Sequence, residues 1–433
     1  MDKAMRRAAK RWIGVAAGVA ALATLGAGCL GNVSGDTSAT KVGDVSNPPA
    51  ERGRPGADIE AACGNGRVTD AGTRTIRRAP YLQDVTHRSA ALMWTTAGNG
   101  EATVEVTTPS GEQVATVPAR VETSARPLGA RQLVSEIAGL AVGTLYCYQV
   151  REGDLPVTER GGFRTAPAME SDGAVRFVAL GDSGGGGEDQ VAVLSQLESV
   201  PFDLMLHVGD VAYDEGTRTQ FETRFFDMYS HLLSRIPIFP ESGNHEYKTD
   251  EATPFREVFR LPENGGPNGR ERWFSFNWGS VHFVGLDTER TGPEQAAWLE
   301  ADLAANERPW VIVYGHKPPY SSGEHGSDSK FRQYFVPILE RFRVPLVLTG
   351  HDHNYERTKP IGGVTYIVTG GGGVGTRTVG TSSYTAFSEQ VLHFVYVTIH
   401  GNKLALHAID GTGKEFDSAV IERGLLDAQL GKK

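Results

Sequence analysis

Val344-Pro-Leu-Val-Leu-Thr-Gly-His-Asp-His-Asn-Tyr-Glu-Arg357 is the stretch on which the reading of this chain turns. Leu346-Val347-Leu348 is a short apolar run of the length of a buried strand. It stops at Thr349-Gly350, and His351 and His353 follow two residues apart. On an extended chain both imidazoles lie on one side, because side chains alternate with a period of two. If the chain turns after Gly350, they project from the mouth of a sheet. Such a pair can serve two metal ions. Alone, a His-x-His reads better as one surface and one packed histidine; the rest of the chain changes that balance.

From Val175 onward apolar runs alternate with helical stretches, an α/β pattern. The expected strands include 175–180, 204–208, 236–239, 273–276, 281–286, 310–314, 364–369, 391–399 and 403–410. Helices are expected near 189–199, 217–233, from Pro293 through Leu303, and near 328–342. Five strand ends carry a glycine and a polar group: Asp182; Asp210 with Tyr213; Asn244 with His245; His316; and His351 with His353. Ligand sites of α/β sheets lie at these carboxyl ends. One Gly-Asp or Gly-His is ordinarily a turn or a cap; five in one domain point to a site. Carboxylates, a phenol, an amide oxygen and imidazoles suit iron, zinc or manganese rather than copper(I). They are too many for one four-coordinate zinc and enough for two metals, with Asp210 the bridging carboxylate by its central position. The glycine run 370–373 lacks a following helix with Lys, so it is a weak phosphate loop. His207, His282 and His393 read as packed strand residues, and His87, His231, His400 and His407 as surface ones. Glu246, Asp352 and Arg357 are candidates for orienting the ligands.

The chain has 433 residues, room for more than one core, and a formal net charge of −9. Its first 28 residues are basic (Lys3, Arg6, Arg7, Lys10 and Arg11 against Asp2), so the remainder is more acidic still. That excludes a footprint for nucleic acid or an anionic membrane surface. The basic head precedes an apolar run from Trp12 to Ala27, the pattern of an export signal. Ala21-Leu-Ala23 fits a cleavage site, while Leu25-Gly-Ala-Gly28-Cys29 resembles a lipoprotein box that would lipidate Cys29; both readings stand. A secreted, periplasmic or lipid-anchored protein is expected. Residues 29–75 read as a flexible tether. Cys63 and Cys147 are then an even pair in an oxidising compartment, and a bridge between them is the expectation.

Residues 76–167 read as a small all-β domain. Ser89–Trp94 and Ala102–Thr107 are strands, and Leu140–Val150 looks like the tyrosine-corner strand of a fibronectin type III-like sandwich. Tyr146, Tyr148 and Val150 would face its core and Cys147 would face out. No ligand cluster is visible in it, so a packing role is favoured over adhesion.

The motif set Gly181-Asp182, Gly209-Asp210-x-x-Tyr213, Gly243-Asn244-His245-Glu246, Val313-x-x-His316 and Gly350-His351-x-His353 resembles the calcineurin-like metallophosphoesterases. Tyr213, the run His353-Asn-Tyr-Glu-Arg357 and the preceding sandwich make it similar to purple acid phosphatases. Ser183 departs from that pattern. The resemblance implies a fibronectin type III-like β-sandwich followed by an αββα catalytic domain over 172–425. It implies that Asp182, Asp210, Tyr213 and His353 hold Fe(III), and that Asp210, Asn244, His316 and His351 hold divalent Fe, Zn or Mn. His245 and, from loop position, His325 would face substrate. The implied reaction is hydrolysis of phosphomonoesters by metal-activated hydroxide at acid pH, with small phosphate esters as partners. A phosphodiesterase or nucleotide hydrolase is the alternative, and a non-catalytic surface binding protein the reading from another class.

Overall fold

The computed structural model describes residues 49–122 and 129–423. The export signal, Cys29 and the first part of the expected tether lie outside the described residues.

Residues 76–164 form two antiparallel sheets. One pairs Ile76–Gln83, Ser89–Thr96, Arg131–Ala138 and Arg120–Val121 in that order. The other orders Gln113–Pro118, Ala102–Thr107, Leu145–Glu152 and Leu155–Pro156, with Gly161–Arg164 also on Leu145–Glu152. Trp94, Val104, Leu133, Tyr148, Val150 and Phe163 fall in one buried apolar cluster. The Ala141 N–H donates to the Tyr146 hydroxyl at 2.9 Å.

The rest is built on two mixed sheets. In the six-stranded sheet, Ile238–Glu241, Leu204–Val208 and Val175–Leu180 run parallel, and His393–His400, Lys403–Asp410 and Glu415–Glu422 complete it antiparallel. In the seven-stranded sheet, Val281–Leu286, Trp310–Gly315, Leu346–Thr349 and Thr365–Thr369 run parallel between antiparallel edges. Phe283, Ile312, Leu346 and Leu348 pack toward the first sheet, and the Phe177 and Phe283 rings meet edge-on at 5.3 Å. Their neighbours Val284, Val313 and Val347 pack with Leu299 and Leu303 of the helix Pro293–Ala305 and with Phe331 and Leu339. Burial on both faces is why these strands read as unbroken apolar runs.

Four expectations change. Residues 49–75 are not a tether: Ala57–Cys63 is a helix, and Cys63 is disulfide-bonded to Cys147. Arg235 Nε also donates to the Pro55 carbonyl at 3.1 Å, and Arg164 pairs with Asp58 at 2.6 Å. A glycine- and alanine-rich stretch without an apolar period is ordered here by long-range partners. The helix expected over 328–342 is two, Ser329–Tyr334 and Val336–Arg341, parted at Phe335 just before Pro337, which cannot supply a backbone donor. The helix expected over 217–233 contains a π-helical segment, Phe221–Phe226. His407, read as a surface residue, is buried beside Glu415 at 3.1 Å because the sheet flanks it on both sides.

Candidate metal centre

Parallel register brings the polar strand ends together. Leu180 pairs with His207 and Val208 with Glu241, which aligns the turns carrying Asp182, Asp210 and Asn244. In the other sheet Leu286 pairs with Gly315 and Tyr314 with Leu348, which aligns His316 with Gly350. The Gly181 N–H donates across to the Thr369 carbonyl at 2.9 Å, so the two sheets meet at this edge.

All seven candidate ligands converge there. The Tyr213 hydroxyl lies 2.9 Å from Asp182 Oδ1, 2.9 Å from Asp210 Oδ2 and 3.1 Å from His353 Nε2. His316 Nε2 lies 3.3 Å from that same Asp210 Oδ2, 3.0 Å from Asn244 Oδ1 and 3.2 Å from His351 Nδ1. Two half-sites therefore share one carboxylate oxygen. His316 Nδ1 faces the Val208 carbonyl at 3.0 Å and His353 Nδ1 the Val374 carbonyl at 2.9 Å. Donation there leaves each Nε2 lone pair pointing into the cluster, as a metal ligand requires.

The backbone is bent to this end. Asp182, Asp210 and His351 all have left-handed φ, at 58°, 54° and 72°. Such conformations are disfavoured for residues with a Cβ and persist where surrounding contacts enforce them. Gly243 packs against this turn: a Cβ there would come within 2.2 Å of Asp210 Oδ1. The Glu246 carboxylate accepts the N–H groups of Asp210, Val211, Ala212 and Gly243, at 3.0, 2.9, 3.0 and 2.8 Å. The Gly372 and Val374 N–H groups donate to the Gly181 and Asp182 carbonyls at 3.0 and 3.1 Å. The glycine run 370–373 thus braces the Asp182 turn instead of cradling a phosphate.

The electrostatics favour a cation. Burial alone would raise the Asp210 carboxyl, but His316 and His245 overturn this and hold it below the usual range. Burial lowers the proton affinity of His316, yet Asp210 outweighs it and pushes the imidazole up to about 10. Burial, then His316, pushes His351 down to about 2. Burial with Asp182 and Asp210 drives the Tyr213 phenol well above its ordinary value. Positive charge among these oxygens would offset the upward push on Tyr213 and His316 and suits an ionised Asp210 and a neutral His351. Asp210, His316 and His351 also present donor atoms within 4.8 Å of one another. The donor set fits metal ions.

His245 and His325 flank the cluster. The His245 ring lies 4.0 Å from the Tyr213 ring, and the His245 backbone N–H donates to Asp210 Oδ1 at 2.9 Å. The His325 ring stacks on His351 at 4.2 Å. Asp352 holds that loop, accepting the His325 N–H at 2.8 Å and the Ser321 hydroxyl. Arg357 is turned away, paired with Asp417 at 2.7 Å. Ser183 bonds His207 Nε2 at 2.8 Å. Arg377, which donates to His325 Nε2, had no local signal in the sequence; the loop carrying it reads as glycine-rich punctuation.

Two mixed sheets with a donor cluster at their joined carboxyl edge define a metallophosphoesterase fold. Residues 175–355 match the family described as calcineurin-like phosphoesterase, and the chain carries that domain. It is similar to purple acid phosphatases. Purple acid phosphatase 21 of Arabidopsis thaliana is 30% identical over 232 residues, 49% of this chain and 52% of that one. An uncharacterized protein of Mycobacterium tuberculosis is 28% identical over 273 residues, 53% of this chain and 51% of that one. The purple acid phosphatase PPD1 from yellow lupin (Lupinus luteus) seeds superposes with a TM-score of 0.69 at 21% identity, over 79% of this chain and 74% of that one. That likeness is one of fold. The chain spans about half the length of the curated relatives it matches, and some relatives from Arabidopsis thaliana bear the name "probable inactive purple acid phosphatase".

Proposed function

We propose that the chain is a metal-dependent phosphatase acting on phosphomonoesters in the acid range. The observation that carries this reading is the shared Asp210 Oδ2, 2.9 Å from the Tyr213 hydroxyl and 3.3 Å from His316 Nε2. Asp182, Asp210, Tyr213 and His353 would hold Fe(III); Asp210, Asn244, His316 and His351 would hold divalent Fe, Zn or Mn. When bound, such a pair supplies hydroxide at low pH and neutralises phosphate charge. His245 and His325 line the cluster and would donate to phosphate oxygens or protonate the leaving oxygen. Glu246 and Asp352 hold the turns that present Asp210 and His325.

The same reading assigns 76–167 as a fibronectin type III-like sandwich and 172–425 as the catalytic domain. The Tyr146 hydroxyl bonded to backbone five residues upstream supports the former. An exported protein, secreted, periplasmic or anchored through Cys29, is supported by the Cys63–Cys147 disulfide.

Metal analysis with a visible spectrum and a phosphomonoesterase assay tests this. The expected result is two metals per chain, one of them iron, with a phenolate-to-iron band that Tyr213→Phe removes. Purified chain without bound metal and without phosphomonoesterase activity at acid pH would refute it. A faster rate on a bis-ester than on the monoester of the same phenol would reassign it as a phosphodiesterase.

A further inference from the structure

A cavity of about 260 Å³ opens at the amino ends of the parallel strands, the edge of the sheet opposite the candidate metal centre. Phe202 and Asp203 lead into the strand Leu204–Val208 there, and Pro237 into Ile238–Glu241. Ile59 of the helix Ala57–Cys63 and Trp278, at the end of Phe274–Trp278, supply further walls. Trp278 is 2% exposed, and its indole N–H is without a partner among the described residues.

Arg235 gives this cavity its uncompensated charge. It is 6% exposed, and its Nε and Nη1 donate to the Pro55 and His231 carbonyls at 3.1 and 2.6 Å. Among the described residues Nη2 makes no hydrogen bond and the guanidinium no ion pair. The carboxylates whose field reaches it are engaged elsewhere, Glu60 by Arg54 at 2.8 Å and Glu198 by His231. Arg164, the other cation of the lining, is neutralised by Asp58 at 2.6 Å. Asp203 accepts the Arg176 N–H at 3.1 Å. Burial pushes its carboxyl up to about 6 against the pull of Arg176 and Arg164, so below that pH it adds no repelling charge. A guanidinium stays protonated in proteins, and burying one without a counter-ion costs free energy that an arriving anion recovers. Gly56 leaves the space for it: its φ is 62°, and a Cβ there would lie 3.0 Å from Arg235 Cδ.

We propose that this cavity is a binding site for a small aromatic monocarboxylate, its anionic end accepting from Arg235 Nη2 and its ring lying against Ile59, Phe202, Pro237 and Trp278. Sites for small molecules combine an apolar lining with a few fixed polar groups, as here. One uncompensated cation calls for one negative charge. An inorganic anion would leave the apolar wall in water, and an uncharged aromatic would leave Arg235 unanswered. The ionised acceptor makes the bond to the guanidinium one of the stronger kind.

Calorimetric titration of cinnamate into the metal-loaded full chain in acid buffer tests this. Wild type is expected to bind one equivalent, with an affinity indifferent to added inorganic phosphate. Arg235→Gln should weaken binding about tenfold or more, the size of one charge-assisted hydrogen bond. Gly173→Leu should weaken it by filling the mouth of the cavity, where a Cβ meets nothing nearer than Ser171 Oγ at 3.5 Å. That variant leaves Arg235 in place and should keep the metal content and phenyl phosphate rate of wild type. Cinnamyl alcohol, which lacks the charge, should bind more weakly than cinnamate to wild type. Absence of binding at millimolar cinnamate, equal affinities for the acid and the alcohol, or an affinity that neither substitution changes overturns the site. Displacement of cinnamate by phosphate also overturns it, since such a ligand would sit at the candidate metal centre. If Arg235→Gln does not fold, Gly173→Leu and the alcohol decide.

Discussion

At the scale of single residues, Glu246 shows how much of the candidate centre is held from behind. Its two oxygens each accept two backbone N–H groups, and those donors belong to the turns of Asp210 and Asn244. A carboxylate can satisfy all four because it is acceptor-only. Glu246→Gln would face two of the donors with an NH₂ group, leaving buried N–H groups unmet in the turn that orients Asp210. Metal affinity is expected to fall about 10- to 100-fold, as for other groups that orient ligands. Titration of metal into the stripped variant would check this, and an affinity equal to wild type would remove Glu246 from that role. The residues that converge in this cluster were legible from sequence as the polar groups that follow apolar runs and a glycine at the strand ends. Glu246 was a candidate for orienting the ligands, but its clamp on the Asp210 turn was not legible, because three of its four donors are backbone groups 34 to 36 residues away.

At the scale of elements, the helix Ala57–Cys63 is ordered by what it is fastened to. It has seven residues, a length at which an isolated helix is marginal in water. Cys147 faces away from Tyr146 and Tyr148, as strand alternation requires, and this turns its sulfur toward Cys63. The bridge spans a sequence separation of 84. In the chain-entropy account, closing such a loop is worth on the order of 4 kcal/mol. Cys63→Ser with Cys147→Ser should lose about that stability in urea melts. Hydrogen exchange should show residues 49–75 deprotected first, while metal content stays as in wild type. Protection of 49–75 equal to wild type would mean that Arg164, Arg235 and their partners hold the segment without the disulfide. The split of the expected 328–342 helix has a local cause in Pro337 that the sequence did contain.

For the whole molecule, the N-terminal sheets and the larger domain are joined by a buried ion pair. Arg78 and Glu222 are 2% and 5% exposed, and the guanidinium lies 4.0 Å over the Phe226 ring. Arg78 also donates to the Tyr81 hydroxyl at 2.9 Å and Gln132 Oε1 at 3.2 Å. Tyr81 in turn donates to the Val258 carbonyl at 2.6 Å. This network ties strands Ile76–Gln83 and Arg131–Ala138 to the π-helical segment and to the chain that follows Asn244. Arg78→Ala would strand the Glu222 carboxylate in the interior, at a cost of about 3–5 kcal/mol. Arg78→Met with Glu222→Leu should cost less, because no charge is left unpaired. Chemical denaturation of the single and double variants measures the difference; a single variant as stable as wild type would show that the pair does not couple the two parts.

The sequence by itself determined the alternation of buried strands with helices and the residue types waiting at each strand end. Those are local properties: apolar periodicity, a glycine that permits a turn, and the donor atoms that follow it. Only the tertiary structure decided that a single oxygen of Asp210, the expected bridging carboxylate, faces both half-sites, that residues 49–75 are ordered, and that Arg377 reaches His325. Each of these depends on groups distant in sequence arriving within hydrogen-bonding distance. Strand register and loop bridging set that distance, and no local pattern encodes it.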